Sequence, residues 1–96
     1  MGSAHRVATV RDEAAIIAVV AQNVRARRKA AGLSQEDLAH EAGVDRTYVS
    51  QVERRQRNVT IVVLARLAKA LGTTADQLLV APAEPRQTRG RRGTSS

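Results

Sequence analysis

The chain has 96 residues, 16 Lys+Arg against 9 Asp+Glu, a formal net charge of +7, one aromatic residue (Tyr48) and no cysteine. That length holds one domain and excludes a separate catalytic domain, and the missing cysteines exclude a disulfide framework and a thiolate metal site, which fits the reducing cytoplasm. Fourteen of the cations are Arg, which favours a polyanion met through planar, bidentate contacts, and near-absence of aromatics argues against modules that stack single-stranded bases, so double-stranded DNA is the leading partner.

Helix signals dominate from the start, and no strand alternation is sustained. Residues 1–8 read as a flexible N-terminus. A T-x-x-D pattern, Thr9 to Asp12, resembles a capping box and opens the first helix. Ile17, Val20 and Val24 follow at helical spacing, and Arg27, Arg28 and Lys29 end the helix before Gly32, which suits its dipole and a left-handed cap. The first half, EAAIIAVVA, is apolar nearly all round and predicts burial on more than one side. Its longest apolar run, from Ala14 to Ala21, is eight residues and too short to span a membrane.

Ser34 and Asp37 form a capping box for a second helix with Leu38, Ala39 and Ala42 on its inner face, stopped by Gly43. Asp45 caps a third helix that runs to about Arg54, with Val49 and Val52 inward. Residues 54–58 are a basic loop. Thr60 caps a fourth helix over 61–71 before Gly72, and Thr74 with Gln77 forms a further box for a short fifth helix bearing Leu78 and Leu79. The domain is thus all-α, five helices over residues 9–80. Residues 81–96 hold Pro, Gly, Ser and Arg with almost nothing apolar and read as a disordered basic tail. Four Arg against one Glu place +3 of the charge there, leaving +4 on residues 1–80.

Residues 35–52, QEDLAHEAGVDRTYVSQV, meet the demands of a helix-turn-helix. Ala39 is small where the second helix must pack, and Gly43 tolerates positive φ in the tight turn. Val44, Val49 and Val52 anchor the second helix, and Arg46, Thr47, Ser50 and Gln51 leave its other face polar and able to reach base edges. From about Val20 to Leu79 the chain resembles the Cro/repressor-type helix-turn-helix family, with the five-helix fold of lambda-type repressors. The resemblance is carried by RRKAAGLSQEDLAHEAGV, YVSQVER and LARLAKALG. DRTYVSQVER followed by RNVTI is similar to controller proteins of restriction–modification systems in particular.

That resemblance implies roles. Arg46, Thr47 and Gln51, with Ser50 beside them, would face DNA bases; Gln35, Tyr48, Arg57 and Asn58 would meet the sugar-phosphate backbone. Arg28 and Glu53 would pair as a structural link between the first and third helices. Leu78, Leu79 and Val80 would form a dimer seam, giving a homodimer on a near-palindromic operator. An extended first helix and the basic tail depart from the family pattern. Two rival readings stand beside this one: the antitoxin of a toxin–antitoxin pair, and a module that docks on protein instead of DNA. His5 and His40 lack partners at ligand spacing, and Asp37 and Glu41 lie on a solvated helix face with no nucleophile nearby. No enzyme activity, cofactor, metal or small-molecule ligand is expected.

Overall fold

A computed structural model describes the backbone of residues 2–82 and the side chains of residues 12–82. It contains five helices and, among the described residues, no strand: α1 (Gly2–Ala30), α2 (Gln35–Ala42), α3 (Arg46–Glu53), α4 (Ile61–Ala70) and α5 (Ala75–Leu78). The all-α, five-helix expectation is borne out. The basic tail lies outside the described residues from residue 83 onward. No helix among the described residues is long and apolar enough to cross a membrane.

The first helix is a correction. It starts at Gly2, not near Thr9–Asp12. Nothing from Ala4 to Asp12 breaks a helix, and a T-x-x-D pattern caps only where the preceding chain leaves helical geometry. The burial expected around EAAIIAVVA is also only partly met within one chain. Val20 and Ala21 are buried, Ile17 to Val19 are half-buried, and Ile16 remains 45% exposed.

One apolar core joins all five helices. Val20 and Val24 from α1, Leu38, Ala39 and Ala42 from α2, Val49 and Val52 from α3, Leu64, Leu67 and Ala68 from α4, and Leu78 from α5 form a single cluster. Leu78 is fully buried there, which removes it from the expected dimer seam. The same segment is held to α1: buried Asn23 donates through Nδ2 to the Leu78 carbonyl at 2.9 Å and to the Val80 carbonyl at 2.8 Å. These bonds satisfy carbonyls at the end of the short α5 and just beyond it, and tie that end to α1.

The expected caps divide into two kinds. Ser34 Oγ accepts from the Asp37 amide at 2.9 Å while Asp37 accepts from the Ser34 amide at 3.1 Å, a reciprocal box. Thr60 Oγ1 likewise accepts from the Val63 amide at 3.1 Å. Asp45 and Thr74 hold the cap positions of α3 and α5 but make no side-chain capping bond. At both, the amide that the side chain should receive is taken by the cap residue's own carbonyl: Tyr48 N to Asp45 O and Gln77 N to Thr74 O, each 3.0 Å.

Four helices end alike. After α1, α2, α3 and α4 the chain makes the paired 6→1 and 5→2 bonds of a Schellman turn, for example Val44 N to Ala39 O at 2.9 Å with Gly43 N to His40 O at 3.3 Å. The left-handed residue is Gly32, Gly43 or Gly72 in three cases, but Arg55, at φ 63°, in the turn that ends α3. There Gln56 N reaches Gln51 O at 2.8 Å and Arg55 N reaches Val52 O at 3.1 Å. A Cβ in this region costs about 1 kcal/mol. Arg55→Gly is therefore expected to raise stability by about 1 kcal/mol, read as a higher urea midpoint with an unchanged slope.

Candidate nucleic-acid interface

The helix-turn-helix is built outward from this core. Ala39 lets α3 approach α2, and Gly43 (φ 72°) turns the chain within a few residues. Val49, Val52 and Glu53 then face inward, which obliges the opposite side of α3 to face out. On that side Arg46 and Thr47 are exposed, Ser50 and Gln51 are half-buried one turn later, and Arg54, Arg55, Arg57 and Asn58 continue the exposed surface beyond the helix. The four positions expected to face bases thus share one face, and the basic loop adjoins its C-terminal end.

A buried ion pair sets the position of α3. Arg28 Nε donates to Glu53 Oε2 at 2.6 Å and Nη2 to Oε1 at 3.1 Å, a two-pronged contact between α1 and the last residue of α3. The Glu53 side chain is 2% exposed and that of Arg28 11%. Arg28 Nη1 also donates to the Leu33 carbonyl at 2.8 Å, so both charges are further hydrogen-bonded. Gln35, expected at DNA phosphate, donates through Nε2 to Glu53 Oε1 at 3.1 Å, so its amide is tied to this pair. Burial pushes the Glu53 carboxyl up, but the hydrogen bonds from Arg28 and Gln35 and the charges of Arg28 and Arg25 outweigh it and hold its pKa below the ordinary value. The hydrogen bond to Glu53 raises the pKa of Arg28.

A second cluster joins Gln51, expected at bases, with Tyr48 and Arg57, expected at the sugar-phosphate backbone. Arg57 Nε and Nη2 both donate to Gln51 Oε1, at 3.0 and 2.7 Å. The Arg57 guanidinium carbon also lies 4.5 Å from the centroid of the Tyr48 ring, a cation–π geometry. Tyr48 and Gln51 are neighbours one turn apart on α3, and the left-handed turn at Arg55 folds the loop back so that Arg57 covers both. The Tyr48 hydroxyl is buried with no hydrogen-bond partner. It is therefore not presented at the surface as a phosphate ligand, and Tyr48 acts here as the platform under Arg57. Pairing of residues 51 and 57 follows no helical spacing, which is why periodicity does not reveal it. The one available signal is Arg and Gln flanking a basic loop at a helix end.

Comparison with known proteins gives these features a setting. A profile of the helix-turn-helix family matches residues 24–78. The control protein C.SmaI of Serratia marcescens is 51% identical over 61 residues, which cover 64% of this chain and 73% of that protein. The crystal structure of a hypothetical transcription factor from Neisseria is similar at a TM-score of 0.68 and 44% identity, over 80% of this chain and 84% of that one. The restriction–modification controller protein C.Esp1396I, crystallised as a tetramer in complex with its natural 35 base-pair operator, is similar at a TM-score of 0.61 and 35% identity, over 66% of this chain and 83% of that one.

Two outcomes follow from the buried groups. Glu53 has a folded-state pKa below its unfolded one, so its contribution is complete above the ordinary carboxylate range and is lost as pH falls through the depressed value. Glu53→Gln should cost about 3 kcal/mol at pH 7, and the gap to wild type should narrow below about pH 4, as measured by denaturation across pH. Tyr48→Phe removes a buried hydroxyl without a partner. Its melting temperature should equal or exceed that of wild type, since an unpaired buried hydroxyl costs about 1–3 kcal/mol; a clear drop would reveal a bond this geometry does not contain.

Proposed function

The chain belongs to the helix-turn-helix family of DNA-binding transcriptional regulators, and from that premise we propose that it is a homodimeric controller protein acting on a near-palindromic operator. Each subunit inserts α3 into a major groove, with half-sites about one helical turn, ~34 Å, apart. The observation that carries this is the outward face of α3. Arg46, Thr47, Ser50 and Gln51 lie together there beside the basic loop, opposite buried Val49, Val52 and Glu53.

The chemistry suits the task. Arg46 can bind guanine O6 and N7 with two parallel N–H groups, and Thr47 and Ser50 carry hydroxyls that serve either base-edge polarity. Arg57 and Asn58, exposed just beyond α3, meet the phosphate backbone in this reading and add affinity that falls with salt. The relative crystallised on its own operator, C.Esp1396I, supports operator DNA as the ligand.

The dimer reading rests on apolar side chains left uncovered by a single chain. Leu79 is 41% and Val80 56% exposed just after α5, and Ile61 and Val62 are 81% and 63% exposed at the start of α4. With Leu78 in the core, the seam is assigned to Leu79 and Val80. Bound at a promoter, such a dimer blocks polymerase at one position or recruits it at another, and it catalyses nothing.

Selection of random duplexes by the full chain tests the whole reading. The enriched motif should be an inverted repeat whose half-site centres lie roughly 10 base pairs apart. Arg46→Ala should flatten preference at one symmetric position by about 1–3 kcal/mol and leave the others intact. Enrichment of no motif, or of a motif without symmetry, would overturn it.

A further inference from the structure

Resting on the operator-reading function above, we infer that Arg57 is a positioning residue for base selection: by occupying the Gln51 carbonyl oxygen it makes Gln51 a donor-only reader that selects guanine over adenine. The contact fixes the chemistry of the amide. Arg can only donate, so the atom it meets at 3.0 and 2.7 Å must be the Gln51 oxygen and not its nitrogen. Both donors belong to one charged fork, so adenine N6–H would have to share or displace a charge-assisted contact to reach that oxygen. What remains to face the groove is the amide NH2.

A glutamine with both ends free pairs with adenine, accepting from N6–H and donating to N7. That pairing needs the oxygen that Arg57 already holds. Adenine would leave its N6–H unpaired in the interface, and cytosine offers a donor against a donor. Guanine presents two acceptors, N7 and O6, and both match an NH2 group. The geometry is pre-set before DNA arrives. Tyr48 supports the guanidinium from below at 4.5 Å, and the left-handed residue Arg55 directs the loop back over α3. The N–H groups of Arg57 not engaged by Gln51 stay available for a phosphate. The same side chain then couples backbone contact to base readout, which a simple phosphate ligand does not do.

The experiment is selection from random duplexes with the wild-type chain, Gln51→Ala, Arg57→Ala and Arg57→Lys. Gln51→Ala identifies the position that Gln51 reads, because preference there flattens. In the wild type that position should favour guanine over adenine by roughly tenfold. Arg57→Ala frees the carbonyl oxygen, and the ratio should fall to near parity while the Arg46 position is unaffected. Arg57→Lys keeps the charge without the two-pronged fork on that oxygen. It should give an intermediate ratio, and it keeps the inference testable where Arg57→Ala binds too weakly to select. Adenine at the Gln51 position in the wild type would overturn the inference. So would an unchanged ratio in both Arg57 variants with affinity lowered on every sequence, the signature of a phosphate contact alone. Failure of the wild type to enrich any motif is a different result, because it removes the operator-reading function itself.

Discussion

The carboxylate of Glu53 is the fixed point of this molecule. It is buried at the end of α3, it accepts from Arg28 on α1 and Gln35 at the start of α2, and so it brings three helices to one place. Apolar packing alone would tolerate small rotations of α3 against the core, because Val49 and Val52 are compact and their contacts are non-directional. A bidentate pair is directional. It sets the rotation of α3 about its axis, and hence which of its residues point away from the protein. Such a pair contributes little net stability over a well-packed apolar replacement. Its value lies in registry: a recognition helix turned by one residue, about a hundred degrees, would present the wrong face altogether.

The recognition helix is also the element that most disregards local rules. An acidic residue at a helix C-terminus opposes the dipole, and Glu53 sits there; a cation at the first helical position opposes it too, and Arg46 sits there. Its left-handed terminating residue is Arg55 where the other three comparable turns use glycine. The Tyr48 hydroxyl is buried unpaired. Each departure costs on the order of 1 kcal/mol, and α3 is only eight residues long. Such a helix persists because the tertiary structure holds it from both sides. Departures of this kind gather at functional elements, where side-chain identity is chosen for what it contacts and not for the helix.

Much of the fold was legible because its signals are local. Ser34 with Asp37, the glycines at 32, 43 and 72, and the inward stripe of α2 are each specified within a few residues, and each stands in the structure as the sequence implies. Among features that depend on distant partners, the Arg28–Glu53 pair came from the family resemblance, and others carry no local signal. Leu78 reads as part of a dimer seam, but its side chain is buried in the core and its carbonyl is held by Asn23, 55 residues away. Asp45 and Thr74 read as side-chain caps, but a tight first turn hands the amide to the backbone carbonyl instead, and composition does not distinguish the two outcomes. In the interface itself, the positions facing outward were readable from helical period. Their mutual contacts were not.

That last distinction bears on how charge becomes specificity. The chain's +7 is spread over a tail, the end of α1 and the stretch from Arg46 to Arg57, and long-range attraction to DNA draws on all of it alike. Selectivity needs a cation whose hydrogen-bonding directions are committed before binding. Arg28 is committed to Glu53 and holds α3 against the core; Arg57 is committed to Gln51 and Tyr48 on the outward side of α3. Arg46 is exposed at the start of α3 and has no such partner among the described residues. Three arginines of equal formal charge therefore stand in three different settings, separated by what each touches. An ammonium could supply the same field at any of these positions, but its single nitrogen cannot grip two acceptor atoms in one plane, so the preference for Arg in this chain follows from geometry more than from charge.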